Sequence, residues 1–566
     1  MRRLGIMAAG LALVVSMVGV LVGSWSSVVR AQPVASIALP APGETEQLYP
    51  GCNPLALTFP DGTASQTVIQ AVTPSGVVEA LWRYDAAQGR FEAFSPSYPQ
   101  ASDLLAVDFL DAVWLCVAGA PPVAPTEAPP PAVDLIRPGD LEYLGAFRLP
   151  EGGERPRTFA YGGTAMTFNP NGDPSGLNDG FPGSLFITGH DRLPYGELPD
   201  GGQVAEVSIP EPVSSRSLAD LNRAELLQDF HNVAAGHFTQ MEEIPRIGLL
   251  YLDNPATGPK IHIAYGQHFE PDPTAPTHAW FNPDLSNPDF HGEWFIGNRS
   301  FYSVNDYLLE IPTAWADEHA QGRYVGTGRF RDGGWSGMGP ALFAYRPWAD
   351  ESGAPAPSGS HLEETTLLLY ENSMNTESIE RSLSGYQHPD DWAGGAWVTT
   401  ALGKSSLLFA GTKSGGTKYW YGWANPAGPE QPCIETELIG QFPLCRLADG
   451  SLCPPEDLSG CAGHNDFRGW WSTHFDAEFI FYDPADLARV AAGETASWEP
   501  QPYAMLDIDE HLFLNPSGVE QEMLGTGDQR RYRIGDVAYD RQNGLLYVLE
   551  LFADEASPVV HVWRIE

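Results

Sequence analysis

Short runs of β-branched and aromatic residues, broken by glycine, proline and asparagine turns, recur along most of this chain and predict strands. The clearest set runs from Ile534 to Glu566: IGDVAYD, a turn at Arg541-Gln542-Asn543-Gly544, LLYVLEL, a polar loop, then PVVHVWRI. Asn543-Gly544 supplies the positive-φ geometry of a tight hairpin. This three-strand unit sets the pattern for the rest.

Similar units lie upstream. GGTAMTF, SLFITG and QVAEVSI (162–209) form one; IGLLYLD, KIHIAYG and DYLLEIP (247–312), with GRYVGTGRF outside, form a second. A third is partial, with PALFAYRPW and TTLLLYEN. A fourth comprises GGAWVTT, SLLFAGT and AEFIFYD, with PYAMLDID outside. Units repeating at roughly 70 to 100 residues predict a β-propeller of five blades, with KYWYGWA able to seed a sixth and seven as the upper bound; a β-sandwich is the competing all-β fold. The final unit lacks an outer strand, and YLGAFRL (143–149) is left over at the start. It is expected to complete that last sheet and remove an exposed edge.

The propeller region is read as 134–566, with a cysteine-containing insertion around 424–475. Ahead of it, residues 120–133 are dense in proline and read as a semi-rigid linker. Residues 32–119 carry LALTF, VVEALWRYD, FEAF and DAVWLCVAG between two cysteines, which predicts a small β domain closed by a Cys52–Cys116 disulfide.

Two arginines, an apolar run from Leu4 to Val22 and a small-residue site after Ala31 read as a signal peptide over 1–31. An extracellular protein is therefore expected, secreted, or anchored outside if the segment is not cleaved. Disulfides are the expected state of Cys433, Cys445, Cys453 and Cys461 too, the alternative being a zinc site with His464. Net charge is −41, from 31 basic against 72 acidic residues. That excludes nucleic acid and anionic membrane as partners and favours carbohydrate or another small neutral ligand, a bound cation, and a monomer.

In such a unit the end of the second strand and the start of the first share one face. The residues expected there are His190, Asp191, Arg192, His268, Glu270, Glu371, Asn372, Lys413 and Asp554-Glu555 after second strands, and Glu242-Glu243, Arg531 and Arg533 before first strands. The opposite turns are ordinary turn residues. Asp191, Glu243 and Glu371 are the acid/base candidates. His190, His268 and Glu270 could hold a divalent cation such as calcium or zinc. Arg192, Asn372, Lys413 and Arg533 are candidate substrate-binding residues, with Trp470 and Trp471, which stand near His474, Asp476 and Glu478 and could stack on a sugar ring. No G-x-S-x-G elbow, H-E-x-x-H helix, Walker loop or G-x-G-x-x-G turn is present.

The spacing and blade ends of the large region, about three quarters of the chain, resemble exported bacterial β-propeller proteins preceded by a small β module. The resemblance implies an architecture with many functions and carries over no catalytic residue. The expectation is binding or cleavage of carbohydrate through a funnel on one face, the alternative a non-catalytic extracellular binding or scaffold protein.

Overall fold

The computed structural model describes residues 35–40, 45–48, 51–73, 77–85, 90–96, 99, 102–117, 134–173, 180–190, 202–239, 247–266, 275–299, 301–329, 337–349, 352–371, 381–418, 435–439, 442–446, 472–514 and 533–566. The chain divides into two compact units, Met1–Ala132 and Val133–Glu566. Among the described residues no helix is long and apolar enough to cross a membrane. Both units are mostly antiparallel β-sheet.

In the first unit the strands are β1 (Ala35–Ala38), β2 (Thr45–Leu48), β3 (Gly51–Ala56), β4 (Thr63–Ala64), β5 (Val72–Thr73), β6 (Val78–Asp85), β7 (Arg90–Phe94), β8 (Ala106–Val107) and β9 (Ala112–Val117). They form a four-stranded sheet in the order β3-β9-β6-β7, a three-stranded sheet β2-β1-β5 and the pair β4-β8. Alternation sends Leu81, Phe94, Val113 and Leu115 inward, to a core with Ile37, Leu48, Leu57, Val68 and Leu104. Cys52 and Cys116 are directly paired on β3 and β9 and form the expected disulfide.

The second unit opens with β10 (Leu141–Arg148), followed by β11 (Met166–Asn169), β12 (Ser184–Thr188), β13 (Gln203–Ser208) and β14 (Leu226–Asn232). Next come β15 (Ile247–Asn254), β16 (Gly258–Tyr265), β17 (His278–Phe281) and β18 (His291–Ile296), then β19 (Leu308–Glu310), β20 (Val325–Thr327), β21 (Ala341–Tyr345), β22 (His361–Leu362) and β23 (Glu364–Leu369). The chain continues with β24 (Asp391–Thr399), β25 (Ser405–Lys418), β26 (Glu435–Ile439), β27 (Phe442–Arg446), β28 (Ser472–Tyr482) and β29 (Ala504–Asp507), and ends with β30 (Ile534–Asp540), β31 (Leu545–Asp554) and β32 (Ser557–Ile565).

Five larger sheets result: β11-β12-β13-β14; β15-β16-β17-β18, extended by β22; β19-β20-β21-β23; β24-β25-β28-β29; and β10-β32-β31-β30. The leftover strand does pair with β32, Phe147 opposite Val560 and Ala146 opposite His561. One expectation is corrected. DYLLEIP and GRYVGTGRF contribute β19 and β20, the first two strands of a new sheet, whereas the second unit is completed by HAWF (β17) and HGEWFI (β18). Those two are short and interrupted by polar and proline-rich segments, so neither stood out as an apolar run.

The first strands of these sheets neighbour one another: β11 lies against β15 and β30, β15 against β19, and β19 and β30 each against β24. Their approach is close. A side chain at Gly394 would place its first carbon 2.7 Å from Val537 N, and one at Gly248 would lie 1.9 Å from Asp306 O, so only glycine fits at either crossing. Polar bonds cross the same gaps: Met166 N donates to Asp536 Oδ2 at 3.1 Å, and Tyr251 N to Thr167 Oγ1 at 2.6 Å. A cavity of about 50 Å³ is lined by all five first strands, including Thr167, Tyr251, Glu310, Trp397 and Tyr539. By volume it holds a few water molecules at most.

Candidate functional site

Strands β25, β28 and β29 bring distant polar residues onto one face. Register pairs Lys413 with Asp476, Gly411 with Glu478, and Glu478 with Asp507. Since alternate residues share a face, Asp476 and Glu478 point the same way, while Ala477 and Phe479 enter the core on the other side. Gly411 has no side chain, and the space one would take is filled by Asp391 O and the Trp392 ring. Asp390, the residue before β24, completes the group: Lys413 Nζ lies 3.0 Å from its Oδ1, and Ser414 donates to that oxygen from its backbone N (2.9 Å) and its Oγ (2.6 Å).

Burial dominates the electrostatics. It pushes the Glu478 carboxyl up to about 7; Lys413 opposes this, and the negative charges of Asp476, Asp390 and Asp507 add to it. Its Oε2 is buried and has no hydrogen-bond partner among the described residues. Burial likewise pushes Asp509 up to about 7 against the hydrogen bond it accepts from Ala477 N at 2.6 Å, with Asp507, Asp476 and Glu478 reinforcing the rise. Asp390, wholly buried, is raised by desolvation while Lys413 and Ser414 pull it down. Near neutral pH such a group can hold and release a proton, the property a general acid or base requires.

Of the residues singled out in the sequence, Lys413 belongs to this cluster. Arg533 precedes the neighbouring sheet, its Nη1 3.1 Å from Asp391 Oδ2, and so bridges the approach to β30 and the start of β24. Glu371 is half exposed and sits 2.5 Å from Arg381 Nη1, an ion pair at the surface rather than an enclosed acid. His190 is buried and its Nδ1 donates to Ala160 O at 3.0 Å, which holds the ring against the loop before β11. Asp191, Arg192, Glu243, His268, Glu270, Asn372, Trp470 and Trp471 lie outside the described residues, as do Cys433, Cys453 and Cys461 and the side chain of Cys445. Among the described residues no group of three or more histidine, cysteine or carboxylate side chains could hold a metal ion.

Sequence reasoning passed over Asp390, Asp507 and Asp509, and noticed Glu478 only as a neighbour of Trp470 and Trp471. The available signal was weak: Asp390-Asp391 stands immediately before an apolar strand, and Asp507 and Asp509 flank the end of another. What makes them a cluster is pairing between positions about a hundred residues apart.

No family model matches the chain, and no curated protein does. Among solved structures, a humanized mutant of the Chaetomium thermophilum Polycomb Repressive Complex 2 bound to the inhibitor GSK343 is similar at 10% identity and a TM-score of 0.26, over 75% of this chain and 98% of that one. Chaetomium thermophilum Raptor is similar at 9% identity and a TM-score of 0.23, over 75% and 29%. The holo form of the pyranose dehydrogenase PQQ domain from Coprinopsis cinerea is similar at 10% identity and a TM-score of 0.26, over 74% and 100%. Likeness this slight carries neither fold nor function from one protein to another.

Proposed function

We propose that the second unit is a five-bladed β-propeller of an exported protein, and that it cleaves a neutral carbohydrate by proton transfer at the Glu478 cluster. The propeller reading is supported by five sheets whose first strands neighbour one another in a circuit, by glycine at the crossings, and by β10 filling the last sheet's edge. The amino-terminal apolar run supports export, and the −41 charge favours a neutral substrate over a polyanion.

The observation that carries the chemistry is Glu478. Burial holds its carboxyl up to about 7 against the opposing charge of Lys413, so it can donate a proton to a glycosidic oxygen at neutral pH and take one back. Asp476 and Asp507, on the same face, are available as the second carboxylate. The test is a panel of neutral polysaccharides assayed for new reducing ends, with Glu478→Gln as control. Turnover that falls about 10²-fold or more in that variant is expected; an unchanged rate overturns the assignment. Binding without cleavage is the second reading, favoured by the commitment of Glu371 to a surface ion pair and of Arg533 to a buried one.

A further inference from the structure

Four aromatic side chains stand exposed on one face of the β3-β9-β6-β7 sheet: Trp82 (40% exposed), Tyr84 (48%), Phe91 (56%) and Trp114 (40%). Register explains why they meet. Trp82 is paired with Trp114 across β6 and β9, and Tyr84 with Phe91 across β6 and β7. The rings brace one another, Tyr84 against Phe91 at 5.0 Å between centroids and Phe91 against Trp114 at 5.9 Å, reaching over β6. Their other paired neighbours are small or uncharged: Ala93 opposite Trp82 and Pro54 opposite Trp114. The rings therefore project above their surroundings.

The charged side chains of these strands occupy the opposite face, where Arg83 pairs with Glu92 at 2.8 Å and Asp111 at 2.6 Å. At roughly 150–250 Å² per aromatic side chain, the four leave on the order of 350 Å² of ring surface in water. A contiguous patch of that size is comparable with the largest on a typical monomer, and such patches are often functional.

We infer that this aromatic ledge is a binding site for neutral polysaccharide, separate from the Glu478 cluster. The inference shares with the proposed function only the neutral-carbohydrate ligand. Sugar rings present flat C–H faces that stack on aromatic rings, and braced rings lose little freedom on binding. Charge decides among the occupants. A chain of net charge −41 is repelled by a second copy of itself and by an anionic bilayer. A neutral polymer meets neither obstacle.

The test is co-sedimentation of the full chain with insoluble cellulose, xylan and mannan, with alginate gel beads as the anionic control. Trp82→Ala and Trp114→Ala are each expected to weaken retention on a neutral polymer about tenfold or more, as loss of an anchoring aromatic does, and Glu478→Gln to leave it unchanged. Because either tryptophan variant could unfold its unit, Tyr84→Ala/Phe91→Ala is measured too, together with a blue shift of tryptophan emission when the parent binds polymer. Retention unchanged in all three variants overturns the inference, as do failure of the parent to bind any neutral polymer and self-association on sedimentation that is lost with the tryptophans. If retention depends on the ledge while turnover ignores Glu478→Gln, the ledge stands and the catalytic assignment fails.

Discussion

Tyr143 Oη lies 3.0 Å from His561 Nδ1, tying β10, the first strand of the second unit, to β32, the last. On its other side the wholly buried imidazole meets Glu550 Oε2 at 3.0 Å, and Glu550 also accepts from the backbone N of Phe513 and Leu514. With Nε2–H donating to the carboxylate, Nδ1 is left to accept the tyrosine hydroxyl. The lateral strand is thus fastened by a side-chain relay as well as by backbone pairing.

Removing that hydroxyl should be felt in unfolding. Tyr143→Phe leaves a buried nitrogen without its donor, and a loss of about 1–3 kcal/mol is expected in the denaturant midpoint of the second unit. Deleting residues 134–150, which removes β10, should lower the melting temperature far more than deleting residues 32–131. Equal effects of the two deletions would count against the closing role of β10.

Arg533 and Asp391 form a bridge with little exposure on either partner, at 3.1 Å. Arg533→Ala removes the cation beside a buried carboxylate and should destabilise by about 3–5 kcal/mol, whereas Arg533→Met combined with Asp391→Leu should recover most of that loss. Chemical denaturation of the three variants checks this. A single variant as stable as the parent would show that the bridge contributes nothing.

The two buried histidines of the second sheet predict acid sensitivity. Burial pushes His262 and His278 down to about 3, helped by Lys260 for the first and by His262 for the second. In the unfolded chain each protonates near 6.5, so stability that is complete above that pH is lost as pH falls from about 6.5 towards 3. Glu478 and Asp509, raised to about 7, act in the opposite direction, since the folded state keeps their protons while the unfolded state releases them. The difference between parent and His262→Phe isolates one histidine: the variant's urea midpoint, followed from pH 7 to 4, should fall less steeply. Parallel curves would contradict the assignment.

For the same reason Glu478→Gln should gain stability relative to the parent at pH 8, where the parent must ionise a desolvated carboxyl, and should lose that advantage near pH 4. Melting temperatures at the two pH values measure it. In an active preparation the pH–rate profile should carry a limb near 7 that the variant lacks.

The Cys52–Cys116 bond closes a separation of 64 residues, which by loop entropy contributes about 4 kcal/mol to the first unit. Unreduced mass spectrometry should find the bond, and Cys52→Ala/Cys116→Ala should lower the unfolding transition of that unit and leave the transition of the second in place.

Local pattern alone was enough for strands with a dense apolar run or a clean apolar alternation, such as β31 and β16, because a β-branched or aromatic run between turn residues has few other stable conformations. It also exposed the missing edge of the last sheet, since β10 and that edge are each incomplete alone. Where one sheet ended and the next began was decided elsewhere. Strands β17 and β18 carry His278, Gly292 and Glu293, too polar to stand out, and they are strands because hydrogen bonding to β16 and packing of Trp280 and Trp294 hold them there. The polar cluster shows the same limit: Asp390, Lys413, Glu478 and Asp507 are separated by up to about a hundred residues, and only antiparallel register puts them on one face. A carboxyl rises to about 7 because neighbours remote in sequence exclude water from it, and that exclusion exists only once the sheets have packed.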